Sequence, residues 1–118
     1  MPDAPSLHPV PLSPGDVLQK DYIARRGVTQ ERLAAALGVS RYSVNQLVND
    51  RRNVTPEMAL RLARVFGTTP EFWMDLQRDL DLQRVREAKG AEIARLAPLI
   101  AFDDAPPLAL LGALFPGD

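Results

Sequence analysis

The sequence predicts an all-α protein of five short helices. Its strongest sign is a start signal repeated five times, a hydroxyl side chain followed by a helix-compatible residue, at Ser13-Pro14, Thr29-Gln30, Ser40-Arg41, Thr55-Pro56 and Thr69-Pro70. Each hydroxyl can accept from the first-turn amides that a helix leaves unpaired. Glycines 27, 38 and 67 stand where three of these helices would end. Between starts and stops, the apolar residues recur at the three- and four-residue spacing of one helical face.

Residues 1–12 carry prolines at 2, 5, 9 and 11. Such a stretch cannot close a helix and is expected to be a flexible, Pro-rich N-terminal arm. It contains His8, the only histidine, which reads as a solvent-exposed side chain. Helix 1 is expected from about Pro14 to Arg26, with Ser13 as cap, Pro14 at its first position and Asp16 in the first turn. Val17, Leu18, Tyr22 and Ile23 provide its buried side, and Gly27 stops it.

Thr29 to Asn49, TQERLAAALGVSRYSVNQLVN, holds Leu33, Ala34, Leu37, Val39, Val44 and Leu47 at helical spacing with one break at Gly38. Two short helices must therefore share one small core, with Gly38 supplying the left-handed residue that ends the first. Ala34 is small where the second helix would cross it. This is a helix-turn-helix, whose second helix is presented outward for a DNA major groove. A plain helical hairpin would fill the same core. The outward face decides against it, because Arg41, Tyr42, Ser43, Asn45, Gln46 and Asn49 are all hydrogen-bonding residues with no Glu or Lys among them. Such a face suits base edges and phosphate oxygens better than it suits mere solubility.

Asp50-Arg51-Arg52-Asn53 reads as a polar loop, with its two arginines placed to clamp phosphate at the end of the recognition helix. Helix 4 runs from Pro56 to about Phe66, with Met58, Ala59, Leu62, Ala63 and Phe66 on one face. Helix 5 opens at Thr69-Pro70-Glu71 and buries Phe72, Trp73, Leu76 and Leu80, Trp73 either sealing the core or joining a dimer contact. Beyond Leu82 the pattern weakens. Residues 83–118 are read as a C-terminal extension, helical at first despite Gly90, interrupted at Pro98, and ending in the apolar Pro/Gly-rich tail DDAPPLALLGALFPGD. The helix-turn-helix domain then spans residues 13–82.

At 118 residues the chain is one domain with tails, and it has no cysteine. Neither a signal peptide nor a membrane span is supported, which fits a cytoplasmic protein. The net charge of −1 hides a division along the chain. Residues 1–28 are neutral, residues 29–67 carry six arginines against three acids, and residues 68–118 carry five bases against nine acids. Positive charge is concentrated where phosphates would lie, and the acidic part could meet a basic partner. Scattered surface acids, one tail histidine and no thiol argue against an enzyme, a metal site or a cofactor.

From Pro11 to Leu82 the sequence resembles the HigA-type antitoxins, a branch of the phage-repressor-like helix-turn-helix proteins. The resemblance rests on S-P-G-D at Ser13–Asp16, G-V-S-R at Gly38–Arg41, V-T-P-E-M-A-L-R-L-A at Val54–Ala63 and T-P-E-F-W at Thr69–Trp73. It implies a homodimer that represses its own operon through operator DNA and neutralises a HigB-like toxin that cleaves mRNA on the ribosome. A stand-alone repressor without a toxin partner is the alternative. The family pattern places base contacts on Arg41, Tyr42 and Gln46, and phosphate contacts on Gln30, Ser40, Ser43, Asn49 and Arg52. Tyr42 departs from that pattern, since its position is often held by Gln or another small polar residue.

Overall fold

The structure is a computed structural model that describes residues 12–100. The expectations for the arm up to Pro11 and for the tail from Ala101 onward lie outside the described residues. The elements are α1 (Pro14–Val17), a π-helical segment continuing it (Leu18–Ala24), α2 (Gln30–Leu37), α3 (Arg41–Val48), α4 (Pro56–Phe66) and α5 (Pro70–Ala94). No strand occurs among the described residues.

All five expected starts are capped. Thr29, Ser40, Thr55 and Thr69 accept from the amides of Arg32, Ser43, Met58 and Phe72 at 3.0–3.1 Å. Ser13 accepts from the Asp16 amide at 3.0 Å, while the Asp16 carboxylate accepts from the Ser13 amide at 3.3 Å, a reciprocal capping box. Each such cap contributes about 1 kcal/mol. Gly38 ends α2 with φ 73°, a backbone region where any other side chain would be strained.

The core gathers one face from each element: Val17, Leu18 and Tyr22, then Leu33, Ala34 and Leu37, then Val44 and Leu47, then Ala59 and Leu62, and finally Trp73. Trp73 is 0% exposed, so of its two expected roles it takes that of sealing the core. Its indole N–H donates to Thr68 Oγ1 at 2.7 Å, which satisfies the one polar group that burial would otherwise strand. Tyr22 stacks on Phe66 with ring centroids 3.7 Å apart, and the Arg26 guanidinium lies 5.1 Å from the outer Tyr22 ring centroid.

Two elements differ from expectation. Helix 1 is α-helical only to Val17 and then winds as a π-helix, which buries Leu18 and Tyr22 and leaves Ile23 half-covered. Helix 5 leaves Phe72, expected on its buried side, exposed, and runs on past Leu82 through Gly90 to Ala94 as the helical start expected of the extension. Past Leu82 it has no buried face, since Val85 and Ile93 are exposed, so the apolar period disappears while the helix persists. The chain divides into two units after Ala88. In the second, the described residues close the helix through Arg95 and Leu96 amides donating to the Glu92 and Ile93 carbonyls.

The unit 1–88 is fastened by a residue that the sequence presents as an ordinary loop acid. Asp50 follows α3 with φ 55°, the sole positive φ outside glycine among the described residues. Its amide donates to Leu47 O at 3.1 Å and the Arg51 amide to Gln46 O at 2.8 Å, the double bond of a Schellman close in which glycine is usual. An aspartate tolerates this conformation better than most residues, and here its carboxylate has a further task. Asp50 Oδ2 accepts from the Ser13 hydroxyl and Oδ1 accepts from the Gly15 amide at 2.9 Å, so the end of α3 holds the start of α1. Gly15 is needed for this approach, because a Cβ there would lie 2.7 Å from Asp50 Oδ1 and would collide with the Val48 carbonyl.

Asp50→Ala should therefore destabilise the fold by about 2–4 kcal/mol, as two part-buried donors lose their acceptor and a left-handed site is left to alanine. Asp50→Gly relieves the backbone strain but not the lost acceptor, and should recover about 1 kcal/mol of that loss. Gly15→Ala should cost roughly 1–3 kcal/mol through overpacking. Urea denaturation of the three variants checks the order. Equal stability of the alanine and glycine variants at position 50 would show that the left-handed backbone carries no cost.

Candidate nucleic-acid interface

The recognition helix α3 is anchored by Val44 and Leu47, both buried, so its remaining residues form a continuous outer face. Arg41, Tyr42, Asn45 and Asn49 are exposed, Tyr42 to 66%, while Ser43 and Gln46 are half-buried. The structure thus brings the three residues expected to read bases, Arg41, Tyr42 and Gln46, onto one helix within six residues. Gln30, at the first position of α2, joins this face because the Asn45 side-chain amide donates to Gln30 Oε1 at 3.3 Å.

The polar side chains are partly committed to one another. Ser40 Oγ accepts from the Ser43 amide and donates to Ser43 Oγ, both at 3.0 Å. The Ser43 hydroxyl hydrogen remains free to donate. Asn49 ends α3 with one amide hydrogen on Asn45 O at 2.9 Å, and keeps a second hydrogen and its oxygen. Arg41 Nη1 lies 3.4 Å from Glu31 Oε1, both side chains being largely exposed.

Beyond the end of α3, Arg51 and Arg52 are exposed and have no ion-pair partner among the described residues. Arg84, on α5, donates to Asp50 O at 3.2 Å. Arg84 thus meets the backbone just past the carbonyl end of the helix, where the dipole favours cations, and Arg51 and Arg52 follow that end directly in the chain. At the turn of the motif, Arg61 of α4 donates to Leu37 O at 2.8 Å and bonds Glu57 through Nε and Nη2, which fixes the end of α2. Gln77, buried on α5, accepts from the Val54 amide at 2.8 Å and donates to Asn53 and Asp81, tying the loop after α3 to the same helix. Away from the interface, the Arg78 guanidinium is held above the usual arginine range, first by its hydrogen bond to Asp79 and then by the charges of Asp79 and Asp75.

Glu31, Asn45, Asp50 and Arg84 belong to this surface or its support and were not among the residues the sequence singled out as contacts. Their partners lie 10, 15, 34 to 37 residues away. No local period signals such pairs; only the composition of the α3 face hinted at Asn45. Among the described residues no group of three or more His, Asp or Glu is placed to hold a metal ion, and no helix is long and apolar enough to cross a membrane.

Residues 20–73 match the helix-turn-helix family model HTH_3. The chain is 45% identical over 75 residues to the uncharacterised HTH-type transcriptional regulator YbaQ of Escherichia coli K12, a match covering 64% of this chain and 66%, just under two thirds, of the relative. It is 36% identical over 89 residues to antitoxin HigA-1 of Vibrio cholerae, covering 75% of this chain and 84% of that one. Among solved structures, Pseudomonas aeruginosa antitoxin HigA with the higBA promoter superposes with a TM-score of 0.71 at 35% identity, over 76% of this chain and 99% of that one. By these matches the chain belongs to the HigA-type antitoxins of the helix-turn-helix family.

Proposed function

We propose that this protein is a sequence-specific DNA-binding antitoxin that represses its own operon and neutralises a cognate HigB-like toxin that cleaves mRNA. The observation that carries the DNA half of this reading is the exposed face of α3, hydrogen-bonding throughout and with Arg41 as its one charge. On it Arg41, Tyr42 and Gln46 read base edges, while Gln30, Ser40, Ser43, Asn49 and Arg52 contact phosphates. The Tyr42 ring, exposed at the second position of α3, offers an apolar contact for a thymine methyl beside its hydroxyl. The P. aeruginosa HigA whose fold this chain shares was solved with promoter DNA, which supports the same use of the motif here.

Arg41→Ala should weaken binding to the operator by about 1–3 kcal/mol and spare random DNA. Arg52→Ala should lower affinity for every sequence and flatten the salt dependence by about one counterion. Titrating both variants against the chain's own promoter and a scrambled duplex at several salt concentrations checks the pair. Equal loss on both duplexes for Arg41→Ala would move it to the phosphate contacts.

One eight-residue recognition helix spans few base pairs, so the active species is a homodimer reading two half-sites. Footprinting should show two protected segments with centres roughly 34 Å or a multiple of that apart. Light scattering on the complex should give two chains. A monomer protecting a single half-site at full affinity would refute this.

The toxin half rests on charge. A toxin acting on RNA is basic where it meets phosphate, and residues 68–118 carry nine acids against five bases. The residues beyond Leu82 take part in toxin contact or in the dimer contact that positions it. A stand-alone repressor is the second reading, favoured by the regulator YbaQ at 45% identity. Co-expression with the adjacent gene separates the two, since an antitoxin copurifies with that gene's product and rescues growth from it. Truncation after Ala88 keeps Arg84 and the whole first unit. It should retain DNA binding and lose toxin neutralisation; full neutralisation by the truncated chain would move the toxin contact to residues before Lys89.

A further inference from the structure

We propose that Glu31 is a positioning residue for base selection, holding Arg41 at the reading end of α3 and weakening contacts that the protein makes to phosphates alone. This rests on the assignment of α3 to DNA reading. Glu31 is the second residue of α2 and Arg41 the first of α3, and their Oε1 and Nη1 atoms are 3.4 Å apart across the turn. Gln30, one residue before Glu31, and Asn45, four residues after Arg41, make a second contact at 3.3 Å. The first turn of α2 is thus joined twice to the outer face of α3.

Stability does not account for the pair. With side chains 75% and 67% exposed, an ion pair of this kind contributes at most about 0.2–1 kcal/mol. Arg41 moreover stands at a helix N-terminus, the end at which the backbone dipole disfavours a cation. A charge kept there against the dipole has work outside the fold.

An arginine side chain left free samples many rotamers and can settle on any nearby phosphate, which adds affinity without sequence information. A carboxylate partner changes this in two ways. It occupies part of the five-donor fork and restricts the side chain, leaving the other donors for the paired acceptors of a guanine edge. It also places a negative charge on the DNA-facing surface, so all backbone contacts are slightly opposed and only a site where Arg41 finds its base recovers the difference. Discrimination between sequences rises while overall affinity falls.

The test uses the full chain, a randomised duplex library, and one fixed mixed-sequence duplex as the non-specific probe. Wild-type protein should enrich a G·C pair at one position of each half-site. Glu31→Gln keeps the shape and removes the charge. It should reduce the preference at that position about tenfold and tighten binding to the fixed duplex about threefold, the scale of one screened unit charge near phosphate. In an Arg41→Ala background, Glu31→Gln should change no base preference and still tighten the fixed duplex, and this non-additivity is what a purely structural role would not produce. Melting temperature should move by no more than about 2–4 °C, as for other exposed substitutions. Unchanged preference in Glu31→Gln, or an equal shift in the Arg41→Ala background, overturns the proposal. Failure of the wild-type protein to enrich any sequence overturns the DNA-reading assignment itself, and is distinguishable because it appears before any substitution is made.

Discussion

The Asp50 carboxylate is the contact on which the arrangement of the helix-turn-helix depends. It joins the carbonyl end of α3 to the amide end of α1, two groups of orphan backbone atoms that would each otherwise need water or a separate cap. Because the acceptor sits on a left-handed residue, rotation of α3 about its own axis would break both bonds at once. The S-P-G-D start of α1 follows from the same contact: Ser13 donates to Asp50, Pro14 lacks an amide where none is needed, Gly15 gives an amide and no Cβ, and Asp16 completes the capping box.

Once α3 is held at its end, its remaining freedom is removed from other sides. Arg84 of α5 donates to Asp50 O, Gln77 of α5 binds the Val54 amide in the following loop, and Arg61 of α4 satisfies Leu37 O before the turn. Each contact comes from a helix that lies later in the chain. The recognition helix is only eight residues long and could not persist alone in water, so its straightness and aim are properties of this scaffold. Preorganisation of this kind lets short polar side chains reach base edges without paying for order at the moment of binding.

Much of the fold was legible because its signals are local. A hydroxyl cap and a proline act within four residues, and so all five helix starts were read correctly from Ser13, Thr29, Ser40, Thr55 and Thr69. The outer face of α3 was legible for the same reason, since Val44 and Leu47 fix which side is buried. What escaped reading acts across distance or through packing. Asp50 looks like any loop acid until Gly15 is placed beside it, and Glu31 like a solvated charge until the turn brings Arg41 within 3.4 Å. The π winding after Val17 has no propensity signature, and beyond Leu82 the weakened period marks the loss of a buried face and not the end of the helix.

That last distinction bears on what the later half of α5 does. A helix polar on most sides gains little from the core and is held by its own backbone, by propensity and by pairs such as Gln83 with Glu87 at 2.8 Å. Its exposed Leu82, Val85 and Ile93 are scattered among charges and are not sealed by any neighbour among the described residues of their own units. Such a segment is costly to keep apolar if it serves only as a strut, since Lys or Glu at these positions would be more soluble and at least as helical. The acids of α5 gather before this segment, at Glu71, Asp75, Asp79 and Asp81, whereas residues 83–94 hold three bases against two acids. Exposed apolar side chains, and not net charge, are therefore what sets the later half of α5 apart.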